Sequence, residues 1–370
     1  MKRFKQYVDY LLLAANLCCL SALLASAYSP LINPGRYPWA AILGLSFPIL
    51  LLICVAFALF WLVSNYRYAL LSLPFFLFSH TAIRDCLPLN TKESTLPSDS
   101  IKILSYNVMS FDWLSKNQQK ENEILNYLRD SKADIICLQE YAASNATKSP
   151  HLTSAEIKRA LKDYPHRHIY EVSRGGNQLA CFSRFPIIKT QPIRYESRNN
   201  GSVAYRLLVD GDTLNLINNH LESNKLTMED RGTYEDFLEK PDATKAKTGL
   251  RQLLKKFAEA AGIRASQADS VAKYIESIPT HQALIVCGDF NDSPVSYVHR
   301  ALTKRTKDAF SRTGMGLGIS FHRNKFYFRI DHILVGGNLT PHNCVVDRSI
   351  AHSDHYPVWC FVSRNNKKTE

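Results

Sequence analysis

The stretch Ala283-Leu284-Ile285-Val286-Cys287-Gly288-Asp289-Phe290-Asn291-Asp292 passes from an apolar run into a polar turn. The apolar run predicts a short buried strand, and the acidic and glycine residues after it predict a turn. Asp289 and Asn291 are two residues apart, so both can point to the same side of an extended backbone. Gly288 allows close approach of backbone or ligand. A carboxylate and an amide at a strand end suit the activation of water beside a phosphate, and an ordinary surface turn is the alternative.

Polar side chains also stand at the ends of other strand-like runs. Taken singly, each has an ordinary explanation, such as a helix cap or a buried histidine with a partner. Together they place carboxylates, amides and histidines at element ends of one domain, which is the composition of a phosphoryl-transfer site. The residues are Asn107, Glu140, Asn219, His220, Asp331, Asp354 and His355.

Short apolar runs alternate with a few helical segments through the rest of the domain. Many strands with few helices predict sheet packed on sheet with helices outside. The helical segments are Asn117 to Asp130, Leu250 to Ala260 and Ala265 to Ile275. The strand-like runs are Ile101 to Met109, Asp134 to Gln139, His168 to Val172, Leu179 to Ser183, Val203 to Val209, Thr213 to Leu221, Ala283 to Cys287, Phe326 to Val335 and Val358 to Val362.

The first 90 residues have the composition of a membrane region. Tyr10 to Ser29 and Trp39 to Val63 carry no charge, and each is long enough to cross a hydrocarbon core of about 30 Å as a helix. Tyr68 to Ile83 is a shorter third candidate that contains Pro74 and His80. We therefore predict spans over residues 10–29, 39–63 and 68–83, with buried core helices as the alternative. Residues 91–99 form a polar linker, and residues 100–365 form the catalytic domain.

Basic residues predict the orientation of this membrane region. Lys2, Arg3 and Lys5 precede the first span and place the N-terminus in the cytoplasm. Three spans then put the domain on the periplasmic side of a multi-pass membrane protein, whereas two spans would leave it in the cytoplasm. Ala25-Ser26-Ala27 also resembles a signal-peptide cleavage site. Cleavage before Tyr28 would leave two spans and keep the domain outside.

Charge and cysteine usage limit the partners. The chain has 45 Lys and Arg against 33 Asp and Glu, a net charge of +12, and residues 101–370 keep +9 of it. A basic domain suits an anionic substrate or an anionic membrane surface. No regular basic-aromatic stripe singles out nucleic acid. The nine cysteines show no spacing typical of a zinc site. No protein partner is inferred.

The ordered motifs resemble the endonuclease/exonuclease/phosphatase superfamily over about residues 100 to 365. The resemblance implies a DNase I-like, four-layer α/β/β/α sandwich that hydrolyses phosphate esters with a divalent metal, Mg²⁺ or Mn²⁺, here in a membrane-anchored bacterial-type member. The motifs, in order, are Asn107; Leu138-Gln139-Glu140; Asn219-His220-Leu221; Gly288-Asp289-Phe290-Asn291; Arg329-Ile330-Asp331-His332; and Ser353-Asp354-His355.

The same resemblance implies a role for each motif residue. Three residues would serve the metal side, namely Glu140 as the main ligand, Asn107 beside it and Asp354 in support. Hard oxygen donors of this kind suit Mg²⁺, which keeps several waters and takes one or two carboxylates from the protein.

The remaining motif residues would act on water and phosphate. Asp289 would orient or deprotonate the attacking water, while Asn291, His220 and His355 would contact the phosphate. Asp331 would fix the ring of His355 and favour its imidazolium form, because a carboxylate partner raises the pKa of a histidine. Asn219 would contact the substrate.

The basic segment from Glu222 to Ser277 follows His220 directly, and its 56 residues exceed what a strand connection needs. It would form a wall of the substrate site, with a solvated helical decoration as the alternative. The sequence therefore predicts a membrane-anchored phosphoesterase acting on a lipid headgroup or an envelope phosphodiester. A nuclease acting on DNA or RNA is one alternative, and a non-catalytic, membrane-tethered binding module is another.

Overall fold

The computed structural model describes residues 2–112, 122–145, 152–172, 177–197, 199–224, 243–323 and 326–365. Within these residues the strands form two six-stranded sheets. In chain order they are β1 (Ile101–Asn107), β2 (Ile135–Tyr141), β3 (His166–Glu171), β4 (Gln178–Ser183), β5 (Ile187–Ile193), β6 (Gly201–Val209), β7 (Asp212–His220), β8 (Ala283–Asp289), β9 (Thr306–Asp308), β10 (Asp331–Gly336), β11 (Leu339–Val346) and β12 (Val358–Arg364).

The strand order is β11-β12-β1-β2-β4-β3 in the first sheet and β5-β6-β7-β8-β10-β9 in the second. The pairs β1–β2 and β7–β8 are parallel, and the other pairs are antiparallel. Parallel strands carry their C-terminal ends to the same edge of a sheet. The motif residues near the ends of β1 and β2 therefore share one edge of the first sheet, and those that end β7 and β8 share one edge of the second.

The helices are α1 (Lys2–Tyr28), α2 (Trp39–Leu45), α3 (Phe47–Ser64), α4 (Tyr66–Leu70), α5 (Ser72–Phe78), α6 (His80–Cys86), α7 (Glu123–Asp130), α8 (Ser154–Ala160), α9 (Ala243–Glu276), α10 (Tyr297–Thr303) and α11 (Ala309–Thr313). Residues 117–121 of the predicted helix Asn117 to Asp130 lie outside the described residues, and its remainder contains α7. The two predicted helices of the basic segment are joined in α9, a single helix of 34 residues.

Three apolar clusters separate four layers of structure. One lies between the two sheets and includes Ile103, Val203 and Ile285. A second packs α7 and α8 on the first sheet, and a third packs α9 and α10 on the second sheet. This α/β/β/α sandwich confirms the predicted fold class.

Two of the N-terminal helical stretches, Arg3–Leu31 and Phe47–Ser64, are long and apolar enough to cross a membrane. Less than a quarter of the most apolar window of each is buried within the protein. Leu52 and Val63, for example, expose 71% and 92% of their surface. A core helix of a soluble domain would bury these side chains, so the buried-core alternative does not fit.

The second and third predicted spans are interrupted in the structure. The stretch 39–63 divides at Ser46 into α2 and α3, and Pro48 stands in the first turn of α3. Proline has no backbone N–H, so the carbonyl of Gly44 lacks its usual helical donor there. The stretch 68–83 falls within α4, α5 and α6, and the apolar helical stretch Tyr66–Phe78 is shorter than a full span.

The N-terminal helices pack against the sandwich. Leu20, Phe47 and Cys86 form an apolar cluster with Val295, which lies in the loop after β8. The side chain of Asn90 donates to the carbonyl of Gly314 at 2.9 Å. These contacts fix the N-terminal helices against the catalytic domain.

Candidate active site

A row of functional residues crosses three neighbouring strands of the second sheet. His220 at the end of β7 is in register with Asp289 at the end of β8. Asp331, the first residue of β10, is in register with Asp289 from the other side. Since neighbouring strands lie about 4.8 Å apart, this register alone brings the three side chains together. The sequence predicted each residue separately, and the sheet supplies their adjacency.

Unusual backbone conformations direct two more side chains to this row. Glu140 has a φ of 50° and lies at an irregularity between Leu138 and Tyr141, where the pairing of β2 with β4 shifts register. Bulges of this kind re-aim side chains next to active sites. Asn291 also has a positive φ, 52°. Positive φ is uncommon in residues other than glycine, and its occurrence at two motif residues marks a site where geometry is imposed by the surroundings.

Asn107 links the two central carboxylates. Its side-chain nitrogen donates to Glu140 at 3.3 Å and to Asp289 at 3.1 Å, while its oxygen accepts from the backbone N–H of Met109. Asn107 therefore orients the carboxylates in this arrangement. Service as a metal ligand would require the opposite amide orientation, because only the oxygen can bind a cation.

The two histidines of the site are held in different ways. Nδ1 of His355 lies 2.7 Å from Asp331, and Nε2 lies 3.6 Å from Asp289. Nε2 of His220 lies 3.7 Å from both Glu140 and Asp289. The partnership of His355 with Asp331 is the one that the resemblance implied.

These surroundings move the two imidazole pKa values in opposite directions. Burial alone would lower the pKa of His355, but Asp331, Asp289 and Asp354 outweigh it and raise that pKa well above its usual value. For His220, burial lowers the pKa, and the attraction of Asp289 offsets only part of the effect. The site thus pairs an imidazolium with a neutral imidazole.

Burial changes the pKa values of two carboxylates in the site. Burial raises the pKa of Asp289 to about 6, against the opposing attraction of His355. Burial likewise raises the pKa of Glu140, whose side chain is still 32% exposed. Asp354 lies 3.2 Å from Arg323. Glu140 and Asp354 offer carboxylate oxygens to the cavity, and oxygen donors of this kind fit a hard divalent ion.

A cavity of about 350 Å³ opens on these groups. Its lining includes the predicted residues Glu140, His220, Asp289, Asn291, Asp354 and His355. Asp331 stands behind His355, and Asn107 behind the two carboxylates. Asn291 donates its amide to the carbonyl of Leu221 at 3.0 Å and its backbone N–H to Asp289 at 2.8 Å. It therefore supports the turn as well as lining the cavity.

The prediction that Asn219 contacts the substrate is corrected by the structure. Asn219 is fully buried, and its amide donates to the carbonyl of Cys287 at 3.0 Å while its oxygen accepts from Ser202. It does not line the cavity. Alternate residues of a strand face opposite sides of a sheet, so the neighbour of His220 necessarily points away from the site.

A second buried histidine cluster lies outside the cavity lining. Nε2 of His299 is 2.9 Å from Asp308, and Nδ1 of His332 is 3.4 Å from the same carboxylate. Asp308 also accepts from the first N–H groups of α11. His332 follows Asp331 in the chain and faces the other side of β10. The cluster is a satisfied polar network of the fold.

Several residues that line the cavity were not among the predicted site residues. Phe257 and Arg264 come from α9, so the basic segment does contribute a wall. Arg264 donates to the carbonyl of Glu222 at 3.0 Å and lies 3.4 Å from Asp292. Lys225 and Arg231 of the same segment lie outside the described residues. The others are Ala41, Ile42, Leu45, Met109, Ser223, Asn224, Asp292, Ser293, Phe321, Arg323, Phe326, Phe328 and Ile330.

Comparisons with known proteins agree with this geometry. A family model described as "Endonuclease/Exonuclease/phosphatase family" matches residues 104–355, and a model of a domain of unknown function matches residues 9–86. No curated protein sequence matches the chain significantly.

Solved structures are similar to this chain at low sequence identity. The human Nocturnin catalytic domain with bound sulfate is 16% identical, with a TM-score of 0.51 over 75% of this chain and 96% of that one. A humanised D. rerio TDP2 is 18% identical, with a TM-score of 0.49 over 72% and 100%. A Bacteroides vulgatus protein of the same family description is 14% identical, with a TM-score of 0.49 over 72% and 99%. Likeness at this level of identity concerns the fold alone.

Proposed function

Because the chain belongs to the endonuclease/exonuclease/phosphatase family, we propose that it is a membrane-anchored phosphoesterase that uses a divalent metal ion. The family consists of phosphoric ester hydrolases, and the chain is an enzyme of that class. The observation that carries the proposal is the single cavity lined by Glu140, His220, Asp289 and His355, with Asp331 bonded to the last of them. Its acidic and basic groups are those that phosphate hydrolysis needs.

Asp289 is the group that prepares the attacking water. One of its oxygens accepts from the N–H of Asn291 at 2.8 Å, which leaves the other toward the cavity and the two histidines. A carboxylate with a pKa near 6 is a stronger base than an exposed one. Asp289 therefore orients the water and accepts its proton as the bond to phosphorus forms.

The histidines act on the phosphate. His355, held as an imidazolium by Asp331, donates to a non-bridging oxygen and stabilises the charge that grows in the transition state. His220 is neutral and donates one hydrogen bond without adding charge. Arg264 and Arg323 add two further cations to the lining and favour an anionic substrate.

Glu140 and Asp354 are the residues that would hold the metal ion, Mg²⁺ or Mn²⁺, with Asn107 fixing the position of Glu140. When bound, the ion supplies Lewis-acid polarisation of the phosphate and neutralises negative charge. Few protein carboxylates and several retained waters are typical of Mg²⁺. The acidic lining alone does not distinguish between the two ions.

The substrate we propose is a phosphate ester of the membrane, either a lipid headgroup or an envelope phosphodiester. Two apolar helices with exposed side chains precede the catalytic domain, and the cavity opens beside them. A tethered enzyme meets membrane substrates at high effective concentration. The proposed topology is multi-pass with the catalytic domain on the periplasmic side. Lys2, Arg3 and Lys5 support a cytoplasmic N-terminus, and the proposal requires the stretch 68–83 to cross as a third span.

The test uses the full-length protein in detergent or nanodiscs. It should hydrolyse bis-p-nitrophenyl phosphate, p-nitrophenyl phosphate or phospholipid vesicles with Mg²⁺ or Mn²⁺, and EDTA should abolish turnover. We expect Glu140→Gln to lower kcat by about 100-fold or more. Glu259→Gln, on the exposed face of α9, is the matched control and should retain activity.

Three results would redirect the proposal. Turnover of DNA or RNA in preference to all other substrates, with a steep loss on added salt, would favour the nuclease alternative. Equal activity of wild type and Glu140→Gln would refute the site assignment. Metal binding without turnover on any substrate would favour the binding-module alternative.

A further inference from the structure

One wall of the catalytic cavity is built by the N-terminal region of the chain. Ala41, Ile42 and Leu45 of α2 line the same cavity as Glu140, Asp289 and His355. These three positions are spaced i, i+1 and i+4, so they occupy one face of the helix. The helix that leads into the apolar span α3 is thus also part of the active site.

A tight backbone contact fixes α2 in this position. Gly44 lies so close to the loop after β8 that an added Cβ would stand 2.4 Å from the carbonyl oxygen of Val295. That loop begins at Asp292 and Ser293, which themselves line the cavity. The approach of α2 to the motif loop is therefore closer than any other residue type would permit.

The cavity has two chemical characters. Its polar part holds the carboxylates and histidines, with Arg264 and Arg323 beside them. Its apolar lining comes from α2 and from aromatic side chains of other elements, among them Phe321, whose ring lies 5.1 Å from that of His355. The remaining apolar residues are Met109, Phe257, Phe326, Phe328 and Ile330. A compact hydrophilic phosphate ester would leave this apolar lining in contact with water.

Aromatic residues place α2 at the level of a membrane surface. Tyr28, Tyr37 and Trp39 are each about half exposed and flank the end of α1 and the start of α2. Tyr7 and Tyr10 are likewise exposed near the other end of α1. Exposed tyrosine and tryptophan at both ends of an apolar helix are typical of membrane–water interfaces. From Tyr7 to Tyr28 the helix rises about 30 Å, the thickness of a hydrocarbon core.

We propose that α2 is a substrate-binding element and that the substrate is an amphiphilic membrane lipid, with its phosphate ester at Asp289 and His355 and its apolar chain against Ala41, Ile42 and Leu45. The inference rests on the proposed function and adds the part of the substrate that is recognised. An apolar chain enters at the interface, and the cationic residues hold the anionic group at the inner end. Specificity for lipids then comes from the N-terminal region rather than from the catalytic motifs.

A series of phosphodiesters with one leaving group tests this inference. Methyl, octyl and dodecyl p-nitrophenyl phosphate present the same reacting bond, and they differ only in the alkyl chain. For the full-length protein in nanodiscs with Mg²⁺ or Mn²⁺, kcat/KM should rise about tenfold or more from methyl to dodecyl. In Leu45→Asn the preference for the dodecyl ester over the methyl ester should vanish.

Leu43→Asn is the matched control, because Leu43 is a half-buried leucine on the same helix that does not line the cavity. It should keep the full preference for the dodecyl ester, which separates binding at α2 from partition of the substrate into the nanodisc. Leu45→Ala repeats the test if the asparagine variant does not fold, with a smaller but parallel loss.

The outcomes distinguish failure of the proposed function from failure of the inference about α2. No turnover of any ester by wild type would refute the proposed function and the inference with it. Turnover of the methyl ester without a gain from the alkyl chain would refute the inference alone. A gain in kcat/KM from the alkyl chain that survives in both Leu45 variants would also refute the inference. So would an equal loss of turnover on all three esters, because α2 would then be only a structural support.

Discussion

One glycine precedes β7 and another lies in β8 beside the end of β7. An added Cβ atom would have a different effect at each of these positions. Gly211, in the turn before β7, has a φ of 86° and open space around it. Gly288, next to the motif aspartate, has a φ of 128°, and an added Cβ would lie 2.0 Å from the carbonyl oxygen of Asn219. The first position requires only a left-handed backbone, whereas the second also excludes any side chain.

The two alanine variants should therefore differ. Gly211→Ala should cost about 1 kcal/mol of stability and leave turnover intact, because only the backbone conformation is disfavoured. Gly288→Ala should cost on the order of 3 kcal/mol and disturb Asp289, because β8 must move away from β7. Thermal unfolding and phosphodiester turnover measure the difference. Equal losses in both variants would contradict the close approach of these strands.

Two buried aspartate–histidine pairs offer a matched comparison of chemistry with structure. Asp331→Asn should lower kcat per folded molecule by about 100-fold, because His355 loses the partner that keeps it an imidazolium. Asp308→Asn should instead cost about 3 kcal/mol of stability and leave kcat per folded molecule within about twofold. Loss of turnover in Asp308→Asn would instead show that Asp308 belongs to the active site.

The acid sensitivity of Asp308 gives a pH test. Burial alone would raise its pKa, but hydrogen bonds from His299 and His332 and the charge of Arg329 outweigh it and hold that pKa well below the usual 3.8. A depressed pKa means that the stabilisation is complete above 3.8 and is lost as the pH falls below it. The gap in thermal midpoint between wild type and Asp308→Asn should therefore narrow in strong acid. A gap that stayed constant from pH 7 to pH 3 would refute this.

At the scale of elements, the contact of α2 with the sandwich is set by Gly44. Gly44→Ala would place a Cβ 2.4 Å from the carbonyl of Val295, and we expect a lower thermal midpoint and a loss of dodecyl-ester turnover. Gly262→Ala in α9 meets its nearest atom at 3.5 Å, an ordinary contact. It should be neutral or stabilising by up to about 1 kcal/mol, since alanine favours helix. Comparable destabilisation by both substitutions would argue against a rigid α2 contact.

The elements that sequence predicts best are those with apolar runs of buried residues. β8 is buried along its whole length and was predicted from Ala283 onward. β5 was missed because it is an edge strand with mostly exposed residues and a proline. β11 also contains a proline and an irregular register, and β9 has only three residues. Pairing with neighbours, rather than local composition, makes these segments strands.

The site residues likewise divide into those that the sequence predicts and those that it misses. Its charged centre was predicted because motif residues stand at strand ends in a recognisable order. Asn219 was misplaced because order along the chain does not reveal which side of the strand faces the cavity. Arg264 was expected only as part of the basic segment that would form a wall. Arg323 and the α2 residues were missed because they reach the cavity through tertiary packing and belong to no local pattern. Spatial convergence of this kind is visible only in the fold.

At the scale of the whole molecule, the orientation of the membrane region remains a prediction with a direct test. Alkaline phosphatase, which is active only outside the cytoplasm, can be fused after residue 90. We expect an active fusion because the basic N-terminus stays inside and the helical stretch Tyr66–Phe78 helps to return the chain across the bilayer. A green fluorescent protein fusion at the same point should be dark. The reverse pair of results would place the catalytic domain in the cytoplasm.

The contact between Gly44 and Val295 has a consequence for where this enzyme begins. The family match starts at residue 104, yet a wall of the cavity lies about sixty residues earlier, in the separately matched region 9–86. A protease that cut the linker near residue 95 would not release the native catalyst in soluble form. If α2 binds the apolar chain as proposed, the remaining fragment would cleave small esters without preference for the length of their alkyl chains. Fusion of the domain to another membrane anchor would then change its substrate range as well as its location.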